Sequence, residues 1–164
     1  MNKKIQNYIE KGFRNIEGWY SQIALELISE LNTIQISREI AGSLCEIGIH
    51  HGRSFILLSL LSQSNERCIG IDLFEEQDEN IEKSGCGNKE IVLSNLELYE
   101  CQLNRIKFIS KNSLNLTPEE LLDISKQKFR LFSLDGGHST EIVQNDLQLA
   151  ESVLQDGGII IVDD

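Results

Sequence analysis

A regular alternation of short apolar runs with helical segments constrains the fold of this chain more than any other feature. Five apolar runs are predicted strands, and they occupy residues 43–49, 67–74, 106–110, 130–135 and 159–162. The segments between them carry apolar residues at intervals of three and four positions, which is the spacing of one helix face. Strands that alternate with helices form βαβ units, so the sequence predicts an α/β fold with a parallel sheet.

The residues before the first strand are predicted to form a helical extension, residues 1–42. A weak amphipathic helix is predicted at residues 4–11, and a stronger one starts at Trp19. We expect the apolar residues of this second helix to lie on the sheet or over a ligand cleft. They are Trp19, Tyr20, Ile23, Ala24, Leu27, Ile28 and Leu31.

The first predicted strand runs into a glycine-containing turn. Residues 44–54 read Leu-Cys-Glu-Ile-Gly-Ile-His-His-Gly-Arg-Ser, and an apolar helix is predicted at residues 55–61. A strand–turn–helix unit of this kind can present backbone N–H groups to a small ligand. Gly48 would allow the tight turn, and Gly52 would let the helix approach the strand or the ligand closely. A plain crossover without a ligand is the alternative.

The composition argues against several classes of protein. The chain has 164 residues, of which 40% are hydrophobic and 25% charged, and this suits a single soluble domain. Its formal net charge is −11, so neither nucleic acid nor an anionic membrane is expected as the main partner. No apolar run approaches the ~20 residues of a membrane span. The first residues also lack the apolar core of a secretory signal.

The four cysteines favour a reducing compartment. Cys45, Cys68, Cys86 and Cys101 form no Cys-x-x-Cys pair, which argues against a zinc cage. Cys45 and Cys68 lie in predicted strands and are expected to be buried. All four are predicted to be reduced thiols in a cytoplasmic protein.

Acidic residues mark the ends of the predicted strands. Asp72, Asp135 and the pair Asp163 and Asp164 close the second, fourth and fifth strands, while Glu46 lies within the first. The carboxyl ends of parallel strands share one edge of the sheet, where ligands bind. Carboxylates gathered there repel one another unless a ligand, a cation or a shifted pKa compensates. The sequence therefore predicts a binding site at this edge.

The position of Asp72 points to an adenosine-containing ligand. It lies 20 positions after Gly52, where an acid can accept hydrogen bonds from both ribose hydroxyls. A loop acid or helix cap is the alternative. NAD would need the pattern Gly-x-Gly-x-x-Gly for its pyrophosphate, but His50 stands where the second glycine would be. The spacing fits S-adenosylmethionine better, because its methionine tail needs no phosphate cradle.

Four short motifs follow one another in this order along the chain. They are Glu46-Ile47-Gly48 with Gly52-Arg53-Ser54, then Gly70-Ile71-Asp72-Leu73-Phe74, then Leu134-Asp135-Gly136-Gly137-His138-Ser139, then Gly157-Gly158 leading to Val162-Asp163-Asp164. Together they resemble the class I S-adenosylmethionine-dependent methyltransferases over about residues 12–164. The narrower similarity is to the bacterial branch of macrocin-type and sugar O-methyltransferases and cephalosporin-hydroxylase-like proteins. Gly18-Trp19 and Ser84-Gly85-Cys86-Gly87 add to it.

The resemblance implies a Rossmann-like, doubly wound parallel sheet in one S-adenosylmethionine-binding domain, residues 1–164. The cofactor-binding residues that it implies are Glu46, Gly48, Ile49, His50, Gly52, Ser54, Asp72, Leu73, Asn112, Ser113 and Asp135. Among these, Glu46, Gly48 and Gly52 would line the methionine end, and Asp72 would bind the ribose. Asn112 and Ser113 match the place where the family contacts adenine.

The resemblance also implies residues for the chemistry. Asp135, Asp163 and Asp164 match the carboxylates that hold Mg²⁺ in metal-dependent members, and oxygen ligands suit this hard cation. The ion would orient two substrate oxygens and lower the pKa of the acceptor hydroxyl. Asp135 and His138 are the candidate catalytic residues, with His138 as a general base. A packing histidine at a helix start is the alternative for His138.

Two further segments have expected roles. Residues 75–88 are polar and are predicted to form a solvated loop, with a lid over the substrate as the alternative. His50 and His51 are expected to contribute backbone N–H groups to the turn, with their side chains facing solvent.

The chain departs from the family pattern at its last strand. Class I methyltransferases are expected to have seven strands, and five are predicted here. Residues 159–162 would then form an uncovered sheet edge, which invites pairing. We expect either a longer natural chain or a second copy of this chain that covers the edge.

The sequence therefore predicts an S-adenosylmethionine-dependent O-methyltransferase whose acceptor is a small hydroxylated molecule such as a sugar. Positioning of the acceptor oxygen would supply most of the catalysis. A non-catalytic nucleotide-binding or assembly module is the alternative from another class. An NAD-dependent oxidoreductase is a third candidate, weakened by the missing glycine.

Overall fold

One parallel sheet forms the centre of the molecule. The computed structural model describes residues 2–80 and 85–163. Within these ranges five strands pair in the order β3-β2-β1-β4-β5, and every neighbouring pair is parallel. The strands are β1 (Ser43–Ile47), β2 (Cys68–Asp72), β3 (Ile106–Ser110), β4 (Phe129–Leu134) and β5 (Leu154–Val162). The α-helices of the same ranges are α1 (Lys3–Glu10), α2 (Gln22–Ser37), α3 (Arg53–Leu61), α4 (Lys89–Leu98), α5 (Pro118–Ser125) and α6 (Thr140–Val153).

Helices cover both faces of this sheet. One apolar core contains residues of α1 to α4, among them Tyr8, Leu25 and Phe55. A second core on the other face joins the sheet to α5 and α6 through residues such as Leu121 and Val153. A parallel sheet packed in this way is doubly wound. The predicted α/β class and Rossmann-like sheet are therefore confirmed.

The boundary between α6 and β5 differs from the prediction. The sequence predicts a helix stop at Asp156-Gly157-Gly158 and a strand over residues 159–162. In the structure α6 ends at Val153, and Leu154 is already extended, with φ −71° and ψ 145°. The strand accommodates the glycines through a register shift opposite residues 129–131, and Gly157 has a φ of 76°. The prediction was wrong because it treated the glycine pair as a break.

The buried face of α2 also differs from the prediction. Ser21 caps the helix through a hydrogen bond from the backbone N–H of Ala24, so Trp19 lies before it. Ile23 and Leu27, which were expected to be buried, are 77% and 58% exposed. The buried face carries several polar residues instead, and it consists of Leu25, Ile28, Ser29, Asn32 and Gln35. Apolar spacing alone could not show that polar residues of this helix have buried partners.

A buried ion pair explains part of this polar face. The guanidinium of Arg130, near the start of β4, donates two hydrogen bonds to the Glu66 carboxylate, at 2.7 and 2.9 Å. Both side chains are fully buried. Arg130 also donates to the Gln35 side chain at 3.0 Å. Removing one partner of such a pair typically costs about 3–5 kcal/mol, because the other charge is left buried.

Two predictions from composition can be compared with the structure. Cys45 and Cys68 are buried, as expected from their place in the strands. Across the part of the chain that the structure describes, no helix has both the length and the apolar character needed to cross a membrane.

Candidate active site

A cleft of about 320 Å³ opens at the carboxyl ends of the central strands. The strand order reverses between β1 and β4, because the chain moves outward from β1 to β3 and then returns to the other side of β1. Parallel sheets bind ligands at such a switch point. The cleft volume lies within the range of small-molecule pockets, about 300–1,000 Å³. The fold thus places a ligand-sized cavity where the sequence predicted a site.

The turn after β1 forms the floor of this cleft. Gly48 has a φ of 81°, and a Cβ atom on it would lie 1.9 Å from the carbonyl oxygen of Asp135. Only glycine fits so close to a neighbouring strand end. Gly52, at the start of α3, also has a positive φ of 91°, but a Cβ there would find its nearest neighbour at 3.5 Å. Glycine is therefore needed at position 48 because a side chain would collide with Asp135. At position 52 it is favoured only because the backbone has a positive φ.

Asp72 holds the same turn through its carboxylate. Its Oδ2 accepts hydrogen bonds from the backbone N–H groups of Ile49 and His50, at 2.9 and 2.8 Å. Its Oδ1 accepts one from Phe74 at 2.8 Å. A carboxylate has about four acceptor positions, so three are already used within the chain. Asp72 lines the cleft, and about one acceptor position is left for a ligand.

Glu46 lies beneath the floor of the cleft, within β1. It is fully buried and is not among the cleft-lining residues. Its Oε1 accepts a hydrogen bond from Ser133 at 3.1 Å, and Ser54 is a second hydrogen-bond partner. Burial raises the pKa of Glu46 well above its usual value, and the nearby charge of Asp135 raises it further. Glu46 is thus expected to be a neutral acid that acts through its neighbours.

Residues 16–20, which precede α2, form one wall of the cleft and are the wall segment. The Arg53 guanidinium at the start of α3 donates hydrogen bonds to the carbonyl oxygens of Ile16, at 2.7 Å, and Tyr20, at 3.2 Å. The Tyr20 hydroxyl lies 3.1 Å from Ser133 Oγ, and burial raises the pKa of Tyr20. Arg53 therefore fixes this segment against the turn.

The two histidines of the turn are not placed as predicted. The His51 side chain is only 12% exposed, and its ring stacks on that of His50 with centroids 4.0 Å apart. The Trp19 ring also contacts that of His50, in a tilted arrangement with 5.0 Å between centroids. Burial, followed by the neighbouring His51, lowers the pKa of His50. The expectation that both side chains face solvent is wrong, since the wall segment packs over them.

The end of β3 lines another side of the cleft. Asn112 and Ser113 both line it, as does Leu73 after β2. Asn112 Oδ1 accepts a hydrogen bond from the backbone N–H of Leu114 at 3.0 Å and caps a short 3₁₀ turn. The Ser113 carbonyl accepts one from Asn145 of α6 at 3.3 Å. The segment of Asn112 and Ser113 is thus fixed by its own 3₁₀ turn and by α6, and it can present backbone groups to a ligand.

The ends of β4 and β5 bring acidic residues to the cleft. Asp135, His138 and Asp163 line it. The backbone N–H of Asp135 donates to Ile47 at 2.9 Å, which ties the β4 end to the turn after β1. The charges of Asp135 and Asp163 both raise the pKa of the buried Glu46, so the two carboxylates lie near the same point. Asp164, the third predicted metal ligand, lies outside the described residues.

The polar loop after β2 contributes to the same cleft. Gln77, Asn80, Gly85 and Gly87 line it, and the Asn80 side chain donates to the Gly85 carbonyl at 3.0 Å. Residues 77–79 form a 3₁₀ turn. Residues 81–84 of the predicted loop lie outside the described ranges. A lid function for this loop stays a prediction.

Most of the predicted site residues meet in one cavity, although some lining residues were not foreseen. The predicted residues on its surface are Gly48, Ile49, His50, Ser54, Asp72, Leu73, Asn112, Ser113, Asp135, His138 and Asp163. Glu46 and Gly52 lie outside its lining. Residues that the sequence did not assign to the site include Glu17, Tyr20, Arg53 and Lys111. The Gly18-Trp19 motif pointed to the wall segment in the sequence. No spacing rule predicts that this segment contacts the turn after β1.

A family comparison is consistent with this geometry. A family model described as a methyltransferase domain matches residues 45–164. The chain belongs to this methyltransferase domain family. The match begins in β1 and includes the turn, the Asp72 strand end and the β4 and β5 acids, whereas the wall segment precedes it. No curated protein sequence matches the chain significantly.

Solved structures show the same fold. The O-methyltransferase NovP has a TM-score of 0.70 at 16% identity, over 90% of this chain and 68% of that protein. TomG from Streptomyces achromogenes, solved with S-adenosylmethionine, has a TM-score of 0.61 at 14% identity, over 100% and 66%. CalS11, a TDP-rhamnose 3′-O-methyltransferase, has a TM-score of 0.57 at 17% identity, over 99% and 77%. The chain thus spans about two thirds of the first two proteins.

These matches place the methyltransferase domain in a fold shared with S-adenosylmethionine-dependent O-methyltransferases of class I. The likeness extends to the wall segment, because nearly the whole chain superposes on TomG and CalS11. The narrower macrocin-type branch stays a prediction.

Proposed function

We propose that this chain binds S-adenosylmethionine in the cleft and transfers its methyl group to a hydroxyl oxygen of a small molecule. The observation that carries the proposal is the cavity above Gly48, where a Cβ atom would overlap the Asp135 backbone. A turn of this shape leaves bare backbone at the floor of a ligand-sized cleft. Membership of the methyltransferase domain family supports the same conclusion.

The proposed cofactor position follows the residues around the cleft. Backbone groups of the turn and the Ser54 side chain would face the methionine end, and Asp135 is the nearby acid for its ammonium group. Asp72, with its remaining acceptor position, would accept one ribose hydroxyl. Asn112 and Ser113 would face adenine. TomG, which shares the fold, was solved with this cofactor.

Glu46 has an indirect role in this proposal. Because it is buried under the floor, it would orient Ser54 and Ser133 rather than touch the cofactor. The Tyr20 hydroxyl joins the same group through Ser133. A neutral, hydrogen-bonded acid in this place fixes the geometry of the floor without adding a third charge beside Asp135 and Asp163.

The chemistry rests on positioning and on one proton transfer. When bound, the cofactor supplies an electrophilic methyl group on its sulfonium. The residues that line the cleft would hold the acceptor with its oxygen facing the transferable methyl group. His138 lines the cleft and is exposed, and its imidazole would take the proton of the acceptor hydroxyl.

A Mg²⁺ ion is a proposed aid rather than a requirement. Asp135 and Asp163 both line the cleft and offer carboxylate oxygens, the donors that this cation prefers. Asp164 would be the third ligand. The ion would lower the pKa of an acceptor hydroxyl when bound.

The proposed acceptor is a small hydroxylated molecule, with sugars among the first to test. CalS11, one of the proteins with this fold, is a TDP-rhamnose 3′-O-methyltransferase. The acidic chain, with a net charge of −11, makes nucleic acid an unfavourable acceptor.

Methyl transfer can be tested directly with S-adenosylmethionine labelled in its methyl group. The chain is incubated with nucleotide sugars, free sugars and catechols, each with Mg²⁺ or with EDTA, and labelled product is separated. The proposal expects transfer to at least one hydroxylated acceptor. Asp135→Asn should lower the rate at least about 100-fold if Asp135 positions the reactants, whereas Glu141→Gln, an exposed control on α6, should not. Cofactor binding without transfer to any acceptor would favour the non-catalytic module.

A further inference from the structure

A compact set of possible metal ligands lies at the rim of the cleft. Glu17, His50 and His51 each offer one ligand atom, and these atoms all lie within 4.8 Å of one another. His51 Nδ1 is 3.2 Å from a Glu17 carboxylate oxygen. The two imidazole rings are stacked at 25° between planes. Two imidazoles and one carboxylate thus converge from two separate segments of the chain.

One of these imidazoles has an unsatisfied nitrogen. Among the described residues, His50 Nδ1 is buried and has no hydrogen-bond partner, while the same ring is in hydrogen-bond contact with the Glu17 backbone. A buried polar atom without a partner is unfavourable, and such atoms often mark the place of a bound water or ion. This observation is independent of the clustering of the three side chains.

Both segments that carry the ligands are held by other contacts. The backbone N–H of His50 donates to Asp72 at 2.8 Å, and the His51 carbonyl accepts from Asn95 at 2.9 Å. On the other segment, Arg53 binds the carbonyl oxygens of Ile16 and Tyr20, which flank Glu17. Ligands on a fixed scaffold lose little conformational freedom when an ion binds.

We propose that Glu17, His50 and His51 form a binding site for a transition-metal ion of the Zn²⁺ or Co²⁺ type. Imidazole nitrogens suit these ions, whereas Mg²⁺ prefers oxygen ligands. The site therefore consists of other residues and another ligand chemistry than the carboxylates of Asp135 and Asp163, which line the same cleft. Tetrahedral ligand atoms at about 2.0–2.2 Å from zinc lie roughly 3.3–3.6 Å apart. The His51–Glu17 pair is already close to that spacing, and the ligand atom of His50 lies within 4.8 Å of both.

Three protein ligands leave a fourth position open. Glu17 and His50 both line the cleft, so this position is adjacent to the cavity and accessible to water or to an oxygen of a bound molecule. The ion would also link the wall segment to the turn after β1. Its binding is thus expected to stabilise the cleft rim.

The test is a titration of the whole chain, freed of metal with EDTA, with Co²⁺ and then with competing Zn²⁺. Visible ligand-field absorption reports the coordination of Co²⁺, and calorimetry reports the stoichiometry. The proposal expects one tightly bound Co²⁺ per chain that Zn²⁺ displaces, apart from any weaker binding at the carboxylates of Asp135 and Asp163. His51→Gln should weaken binding by at least about 10-fold, because a ligand is lost. Glu17→Gln should weaken it as well, and this 73% exposed side chain can be changed without disturbing the core.

Three matched variants separate this site from others. His138→Gln, Asp163→Asn and Cys86→Ser change the third histidine, the β5 acid and an exposed thiol, and each should retain the Co²⁺ affinity of the parent chain. No ligand-field absorption in the parent chain, or equal affinity in His51→Gln and Glu17→Gln, would overturn the proposal. A loss confined to Asp163→Asn or Cys86→Ser would also overturn it, because the ion would then lie elsewhere.

Discussion

At the scale of single residues, the buried acid in β1 is the feature least like an ordinary strand residue. Glu46 is fully buried and keeps two serine hydroxyls as partners, while its Oε2 has no hydrogen-bond partner among the described residues. Its raised pKa follows first from burial and then from Asp135. The sequence could mark Glu46 as an acid of the motif, but it could not show that the side chain points beneath the cleft.

This burial predicts a pH dependence of stability. Because the folded-state pKa of Glu46 lies above its unfolded value of about 4.3, the folded chain binds this proton more tightly. The resulting stabilisation is complete below the unfolded pKa and is lost as pH rises towards the folded pKa. Urea unfolding at pH 5 and pH 8 should show that Glu46→Gln gains stability relative to the parent chain as pH rises, by up to about 1.4 kcal/mol per pH unit.

Glu120→Gln is the control for this measurement. Glu120 lies on α5, where its partly exposed carboxylate pairs with Lys111 at 2.9 Å. Its stability difference from the parent chain should stay nearly constant between the two pH values. A constant difference for Glu46→Gln as well would contradict the assignment of a neutral Glu46.

At the scale of elements, the turn between β1 and α3 joins the fold to the site. Asp72 from β2, Asp135 directly after β4 and Asn95 from α4 each contact its backbone. A strand pattern and two glycines were enough to predict the turn. The order of the strands that surround it was needed to show why its first glycine is required.

The two glycines of the turn should differ in their tolerance of a side chain. Gly48→Ala adds a Cβ at 1.9 Å from the Asp135 carbonyl oxygen, in addition to an unfavourable φ. Gly52→Ala meets only the unfavourable φ, since its nearest neighbour would be at 3.5 Å. A strained φ costs about 1–3 kcal/mol and overpacking adds about 1–3 kcal/mol. Thermal or urea unfolding should therefore place Gly48→Ala at least about 1 kcal/mol below Gly52→Ala in stability.

Equal stabilities for these two variants would contradict the packing of the turn against the β4 end.

The adjacent β5 shows where element prediction fails. The glycine pair at 157–158 predicts a break, yet pairing with β4 continues around it through a register shift. Backbone pairing between distant strands is not visible in local residue preferences.

At the scale of the whole molecule, the alternation of strands and helices was enough to predict the fold class. The acids at the strand ends then identified the edge of the sheet that carries the cleft. The wall segment could not be predicted, because its contact with the turn depends on Arg53 reaching the carbonyl oxygens of Ile16 and Tyr20 across the sequence. The burial of Gln35 in α2 could not be predicted either, because its hydrogen-bond partner Arg130 lies 95 positions away in the sequence.

The most direct test of the account is calorimetric titration of the chain with S-adenosylhomocysteine, with and without Mg²⁺. The account predicts one binding site per chain. It also predicts that Asp72→Asn weakens binding at least about 10-fold, because an amide cannot hold the turn and a ribose hydroxyl as a carboxylate does. Glu76→Gln, an exposed change in the neighbouring loop, should leave the affinity unchanged. No heat of binding from a folded parent chain, or equal affinity in Asp72→Asn, would contradict the claim that this cleft holds the cofactor.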